Sequence, residues 1–317
     1  MKKKNFKIAL IALSVTILLG ALGIGGFIGN YFYDLAINPY SSKDAIFGEP
    51  NEEIEKLKVK EDEKWLLESS NYKDTYINSF DNLKLHAYQV KNEKAKDKWA
   101  IVVHGYTSEG KALSAKAKQF YEMGYNVLVP DLRSHGKSKG DYIGMGWHDR
   151  LDIVSWINYI TSNNANSEIV LHGTSMGAAT VLMTSGENLP SNVKAIVADC
   201  GYTSAWSVFV HQLNSLFGLK PFPFMQLSNI VVKMKAGYSL EDASAIEQVK
   251  NSKTPILFIH GDKDDFVPYS MMDELYNATS SDKEKLTIEG AGHNDSYLVN
   301  PKLYWASINT FLNKYVK

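Results

Sequence analysis

A chain of 317 residues, 44% apolar and 22% charged, holds enough apolar side chains for a full core and is of a size that α/β folds commonly reach as one unit. Formal net charge is −1, and the 34 basic residues less Lys2, Lys3, Lys4 and Lys7 leave 30 against 35 acidic ones, so the body carries no basic patch of the kind nucleic acid requires. A single cysteine, Cys200, excludes an intrachain disulfide and a thiolate metal cluster, no two histidines stand at metal-ligand spacing, and no cofactor is expected.

The lysines run directly into residues 8–28, which are almost wholly apolar and uncharged. About 20 such residues span a bilayer core, and lysines stay on the cytoplasmic side. The expected layout is a basic cytoplasmic tail over 1–7, a transmembrane signal-anchor over 8–29 in the cell membrane, and an extracytoplasmic remainder. Cleavage near Ala21-Leu22-Gly23 would instead give a secreted protein, but the apolar run continues to Ile28, and Tyr31, Phe32 and Tyr33 suit an interfacial belt. Gly25 and Gly29 make a G-x-x-x-G, which brings helices together, although one instance is weak evidence for a dimer. Residues 30–65 are polar and broken at Asn38-Pro39 and Glu49-Pro50, which reads as a linker with a short helix over 52–64.

A domain over 66–317 opens with a β-hairpin, 75–80 and 83–90 alternating around Asp81-Asn82. From Trp99 the period changes. Short apolar runs at 99–103, 125–129, 168–171, 193–198, 255–259 and 285–288 alternate with helix-like stretches at 111–123, 147–161, 176–187, 270–279 and 302–315. That alternation predicts an α/β fold, a mostly parallel central sheet covered by helices on both faces. Function in such sheets collects at the carboxyl ends of the strands, which here hold His104-Gly105-Tyr106, Asp131, Ser175, Asp199, Asp262 to Asp265, and His293.

Glu168 to Ala179 reads as a buried strand running through Gly173-Thr174-Ser175-Met176-Gly177 into a helix of small residues. This is G-x-S-x-G at a strand-to-helix turn, where glycines admit the close approach of strand and helix and the serine stands exposed at the tip. Ser175 is the candidate nucleophile, with following N–H groups at the positive end of a helix aimed at any oxyanion beside it. A hydroxyl needs a base and an acid to orient that base. His293, in the loop Gly290-Ala291-Gly292-His293 after the last strand, is the best placed of the eight histidines. His104 and His260 end strands before glycine and suit loop structure, while His135 and His148 receive no role. The acid is one of Asp262, Asp264, Asp265 and Asp199, among which spacing does not choose. The order Ser, Asp, His is that of the α/β-hydrolases. Arg133 and the 144–150 segment read as scaffold, with Arg150 pairing Asp149 or Asp152, and Cys200 as a small buried hydrophobe.

Five motifs follow one another: HGYTSEG, DLRSHGKS, GTSMG, HGDKDDFVP and GAGH. Together they resemble the serine α/β-hydrolases of the broad monoacylglycerol lipase, serine aminopeptidase and BEM46-like group, from about Leu85 to the C-terminus. The resemblance implies the α/β-hydrolase fold, an acid at the aspartate of HGxxDxxVP, which is Asp264, and an oxyanion hole from the backbone N–H groups of Tyr106 and Met176. The Tyr106 hydroxyl is a further candidate pocket group. More than fifty residues separate Asp199 from Pro255, and the apolar insertion at about 203–247 is where this group carries a helical cap. The expected function is cleavage of carboxylic esters of small to medium acyl groups, monoacylglycerol-like lipids included, through an acyl-enzyme on Ser175. The expected partners are a small-molecule ester or lipid and, through the N-terminal helix, the membrane. Two alternatives stand beside it: an aminopeptidase, which needs an acidic group such as Glu109, Asp141 or Glu241 to hold a free amine, and a catalytically silent anchored binding domain.

Overall fold

The computed structural model describes residues 2–47 and 64–317, the side chains of 2–12, 15, 17 and 21 left aside. The short helix expected over 52–64 lies outside the described residues but for Lys64. Eight strands form one sheet: β1 (Lys73–Asn78), β2 (Lys84–Val90), β3 (Lys98–Val103), β4 (Asn126–Pro130), β5 (Glu168–Thr174), β6 (Val193–Asp199), β7 (Ile256–Gly261) and β8 (Lys283–Ile288). Their order is β1-β2-β4-β3-β5-β6-β7-β8. The expected hairpin is β1 with β2; β2 pairs antiparallel with β4, and every pair from β4 to β8 is parallel.

The central strands are apolar throughout because both of their faces are covered, and the period-2 alternation sorts side chains between the two layers. Ile101, Val103, Leu171, Ile196 and Phe258 join one core, and Ala100, Val102, Val170, Val197 and Leu257 the other. Two helices precede the sheet, α1 (Lys2–Ala36) and α2 (Asp44–Phe47), and α3 (Ser114–Glu122) and α4 (Asp149–Asn163) follow within it. Helix α5 (Met176–Thr184) follows β5. The insertion after β6 is helical, as expected of a cap: α6 (Ala205–Phe217), α7 (Pro221–Ala236) and α8 (Ala245–Val249). Ser204 caps α6 by accepting from the Ser207 N–H at 3.0 Å, and Gly218 ends it at φ 63°. Helices α9 (Ser270–Ala278), α10 (Ser296–Val299) and α11 (Pro301–Leu312) complete the chain, with Tyr304 and Ile308 of α11 and Phe120 of α3 in the same core.

The N-terminal segment departs from the expected layout. Helix α1 continues through Ala36, past the expected end of an anchor at 29, because its last turns find apolar partners on the cap. A Cβ at Gly29 would lie 2.6 Å from the Leu227 carbonyl and one at Gly25 3.1 Å from the Leu227 side chain, so this G-x-x-x-G closes on α7 of the same chain. Of the expected interfacial belt, Tyr33 is buried and Phe32 packs against the core while Tyr31 stays exposed, and Ile37 beyond it is buried. Lys43 seals the end of α1, its Nζ donating to the carbonyls of Asp34, Leu35 and Asn38 at 3.0, 2.8 and 2.7 Å. Residues 30–47 are therefore packed on the domain and not a free linker. Among the described residues no helix is long and apolar enough to cross a membrane, and the expected span over 8–29 falls in part on side chains outside them.

Candidate active site

Ser175 sits between β5 and α5 at φ 56° and ψ −119°, a backbone conformation strained for any side chain. Its N–H donates to the Asp199 carbonyl at 2.8 Å, which pins the turn to β6. The two motif glycines are required by contact: a Cβ at Gly173 would stand 2.2 Å from the Gly177 carbonyl oxygen, and one at Gly177 2.2 Å from that of Val103. Both obstacles are backbone, so neither can move aside cheaply. Gly177→Ala is expected to cost roughly 2 kcal/mol or more of stability, as overpacked sites do. A melting temperature within a degree of wild type would remove that explanation of the motif.

The sequence-predicted groups meet at the carboxyl edge of the sheet. The Ser175 Oγ–H donates to His293 Nε2 at 2.8 Å, and His293 Nδ1–H donates to Asp264 Oδ2 at 2.7 Å. Of the four aspartates only Asp264 reaches the imidazole. Asp262 accepts from the Gly290 N–H at 2.6 Å and so holds the histidine loop from below. Asp265 offers its backbone carbonyl to His211 of the cap at 2.8 Å. Asp199 accepts from the Tyr304 hydroxyl at 3.0 Å. Asp264 Oδ1 accepts in addition from the N–H groups of Phe266 and Val267 at 3.0 and 2.8 Å. Burial opposes its ionisation, but hydrogen bonds from His260 and His293 and the field of His293 prevail and hold its carboxyl well below the usual range.

Sequence reasoning missed three participants. His260, assigned to loop structure, shares Nε2–H between Asp264 Oδ2 at 3.1 Å and the Val267 carbonyl at 3.0 Å, a second imidazole on the acid. Phe266 lies against the His293 ring at 4.9 Å. Lys116 is buried behind the turn, donating to Thr174 Oγ1 at 2.7 Å and Asn294 Oδ1 at 3.2 Å, with Asp199 Oδ2 at 3.6 Å. It joins the residue before Ser175 to the residue after His293. His260 stands one helical turn's spacing before Asp264 in HGDKD, the one signal that pointed to it.

His104 has the structural part expected of it, accepting from the Leu132 N–H at 3.0 Å; burial and repulsion from His135 push its pKa down to about 3. Arg133 bridges Asp152 at 2.8 Å and Asp81 at 3.1 Å. Arg150 pairs with Glu187 at 2.7 Å rather than with either helix-start aspartate: Arg133 occupies Asp152, and Asp149 accepts from the Gly146 N–H at 2.9 Å. Cys200 is buried, with its sulfur within 4.8 Å of ligand atoms of Asp264 and His293. Burial pushes its thiol well above the ordinary range, which suits a small buried hydrophobe, and both nitrogens of His293 are hydrogen-bonded to Ser175 and Asp264.

Ser175 stands where two pockets meet. One is apolar and lies under the cap, with Val208 and Phe217 of α6, Met225 and Val232 of α7, and Phe266 among its walls. The other is more polar and holds Thr107, Ser108, Lys116, His293 and Asn294 beside apolar side chains such as Leu113 and Phe266. Tyr106 borders both. Met176 opens α5, so its N–H has no preceding turn to bond, and Gly105 brings the Tyr106 loop so near that a Cβ there would stand 3.2 Å from that of Ser175. The Tyr106 hydroxyl is not free for the pocket: it donates to the Ala36 carbonyl of α1 at 2.8 Å. Among the described residues no carboxylate lines either pocket; Glu109 pairs with Lys111 at 3.0 Å, and Asp141 and Glu241 lie exposed elsewhere.

Residues 94–217 match the family model of serine aminopeptidases, S33. Among curated relatives, the protein YqkD of Bacillus subtilis (strain 168) is 27% identical over 214 residues, 67% of this chain and 70% of that protein. Protein bem46 of Schizosaccharomyces pombe is 25% identical over 187 residues, 57% of this chain and 56% of its own. Among solved structures, the Pyrococcus furiosus esterase Pf2001 superposes with a TM-score of 0.65 at 26% identity, over 78% of this chain and 94% of that one.

Proposed function

We propose that this chain, which has the α/β-hydrolase fold and is similar to the serine aminopeptidase S33 family over residues 94–217 and to bem46, is a serine hydrolase of carboxylic esters. The observation that carries this reading is the unbroken hydrogen-bond chain from Ser175 through His293 to Asp264. Ser175 Oγ attacks the acyl carbonyl as His293 Nε2 takes its proton, and Asp264 holds the imidazole and balances its positive form. The backbone N–H groups of Tyr106 and Met176 receive the oxyanion, a contribution of roughly 3 kcal/mol per donor in such sites. The alcohol leaves with the proton from His293. Water, deprotonated by the same nitrogen, then releases the acid and frees Ser175.

The acyl part suits the apolar pocket and the alcohol the polar one. The similarity to an esterase supports an ester, and the lack of a carboxylate in the lining of either pocket among the described residues speaks against holding a free amine, as an aminopeptidase must. The apolar, uncharged run over 8–28 behind four lysines supports a cell-membrane anchor with the hydrolase domain outside the cytoplasm.

The test is labelling of the full-length protein with a fluorophosphonate, mapped by mass spectrometry, beside a panel of acyl esters. The expected result is one adduct, on Ser175, with ester turnover. A folded protein that takes no label and turns over no ester would leave the binding-domain reading in its place. The acid side of the kcat/KM profile is expected to follow one proton, falling about tenfold per pH unit, since Asp264 stays ionised through the carboxylate range. A steeper fall would mean a second titrating group.

A further inference from the structure

The apolar pocket is not closed by the cap alone. Phe32, Leu35, Ala36 and Ile37, the last turn of α1 and the residue after it, line the same cavity as Ser175. They are fixed there from several sides. Gly29 lets α1 rest directly on the α7 backbone at Leu227. Phe32 meets Phe217 and Phe224 edge-on at 5.8 and 5.9 Å, which ties it to α6 and α7 of the cap. The Ile143 N–H donates to the Ile37 carbonyl at 2.8 Å, and the Tyr106 hydroxyl donates to that of Ala36. The end of α1 is thus bonded to the residue whose N–H is assigned to the oxyanion.

We infer that residues 32–37, the end of the N-terminal helix and the residue after it, form one wall of the acyl subsite and set its preference for acyl length. The inference rests on the hydrolase reading of Ser175 and adds to it a binding role for a segment that sequence alone presents as an anchor and linker. Pocket shape supports a chain over a compact acid. Helix α6 lines it from Val208 to Phe217, about 13 Å of helix at 1.5 Å per residue. No charged side chain lines it among the described residues. An extended acyl chain with its carbonyl at Ser175 therefore lies between α1 and the cap helices, and a two-carbon acyl group offers α1 far less surface to meet.

The experiment uses the full chain in detergent and compares kcat/KM for p-nitrophenyl decanoate and acetate. Gly29→Leu places a side chain against the Leu227 carbonyl and lifts α1 from α7, while Phe32→Ala removes part of the wall without a clash. Each is expected to lower the decanoate-to-acetate ratio by about tenfold, the scale of a few lost apolar contacts. In Gly29→Leu, Ser175 should still take the fluorophosphonate, which separates loss of the wall from loss of the nucleophile's turn. An unchanged ratio in both variants, or equal loss of both substrates, overturns the inference. A second measurement needs no turnover: a diazirine-bearing decanoic acid is photolysed with the Ser175→Ala protein, and its adducts are mapped. Adducts on 32–37 are expected, and adducts confined to the cap and core would overturn the inference. Adducts on 32–37 beside a wild-type Ser175 that no fluorophosphonate modifies would remove the hydrolase reading while leaving this binding segment standing.

Discussion

Ser175→Ala is expected to abolish ester turnover, lowering kcat by a factor on the order of 10⁶, and His293→Ala by a similar factor, with the double variant no worse than either. The lack of additivity is the informative part. Once the hydroxyl is gone the imidazole has nothing to deprotonate, and once the imidazole is gone the hydroxyl is a poor nucleophile, so each deletion removes the same step. Folding should be nearly untouched in Ser175→Ala. The hydroxyl's hydrogen bond is to His293, and the strained turn is held by the Ser175 N–H and by close packing at Gly173 and Gly177, all of which alanine preserves. The check is kcat on purified protein with the melting temperature measured beside it. A Ser175→Ala protein that keeps more than about 1% of kcat would move the nucleophile elsewhere.

Much of the fold was legible because a buried parallel strand is written as an uninterrupted apolar run, and six such runs separated by helical stretches leave few other arrangements. The turn that carries the candidate nucleophile was legible for a different reason: Gly173 and Gly177 face backbone atoms, a constraint that only glycine meets. Other features depend on partners far away in sequence. Arg150 finds Glu187, and Lys116 finds Asn294, through folding and not through spacing. Gly25 and Gly29 show the limit most clearly. A small-residue stripe on an apolar helix reads the same whether it faces another chain or this chain's own cap, and the difference lies in α7, some two hundred residues on. The helix then extends past its expected end because Phe32 and Ile37 have protein around them, which hydropathy alone cannot distinguish from lipid.

The acid is the point at which spacing was silent and geometry is specific, and Asp264→Asn is expected to lower kcat by about 10⁴ with little change in KM. Asparagine can still accept from the Phe266 and Val267 N–H groups through its oxygen, so the loop survives. Its amide nitrogen then replaces Oδ2, which now accepts from both His293 and His260. Two N–H groups would face an NH₂. His293 escapes by shifting its proton to Nε2, and the nitrogen turned toward Ser175 becomes a donor that can no longer act as base. His260 has the Val267 carbonyl to fall back on, so the damage falls on the tautomer of His293 rather than on folding. Asp265→Asn should leave kcat within about twofold, since the cap contact uses its backbone carbonyl, and Asp262→Asn should act weakly, since an amide oxygen still accepts from Gly290. An Asp264→Asn protein with more than about a tenth of wild-type kcat, or an Asp262→Asn protein with less, would take the acid role away from Asp264.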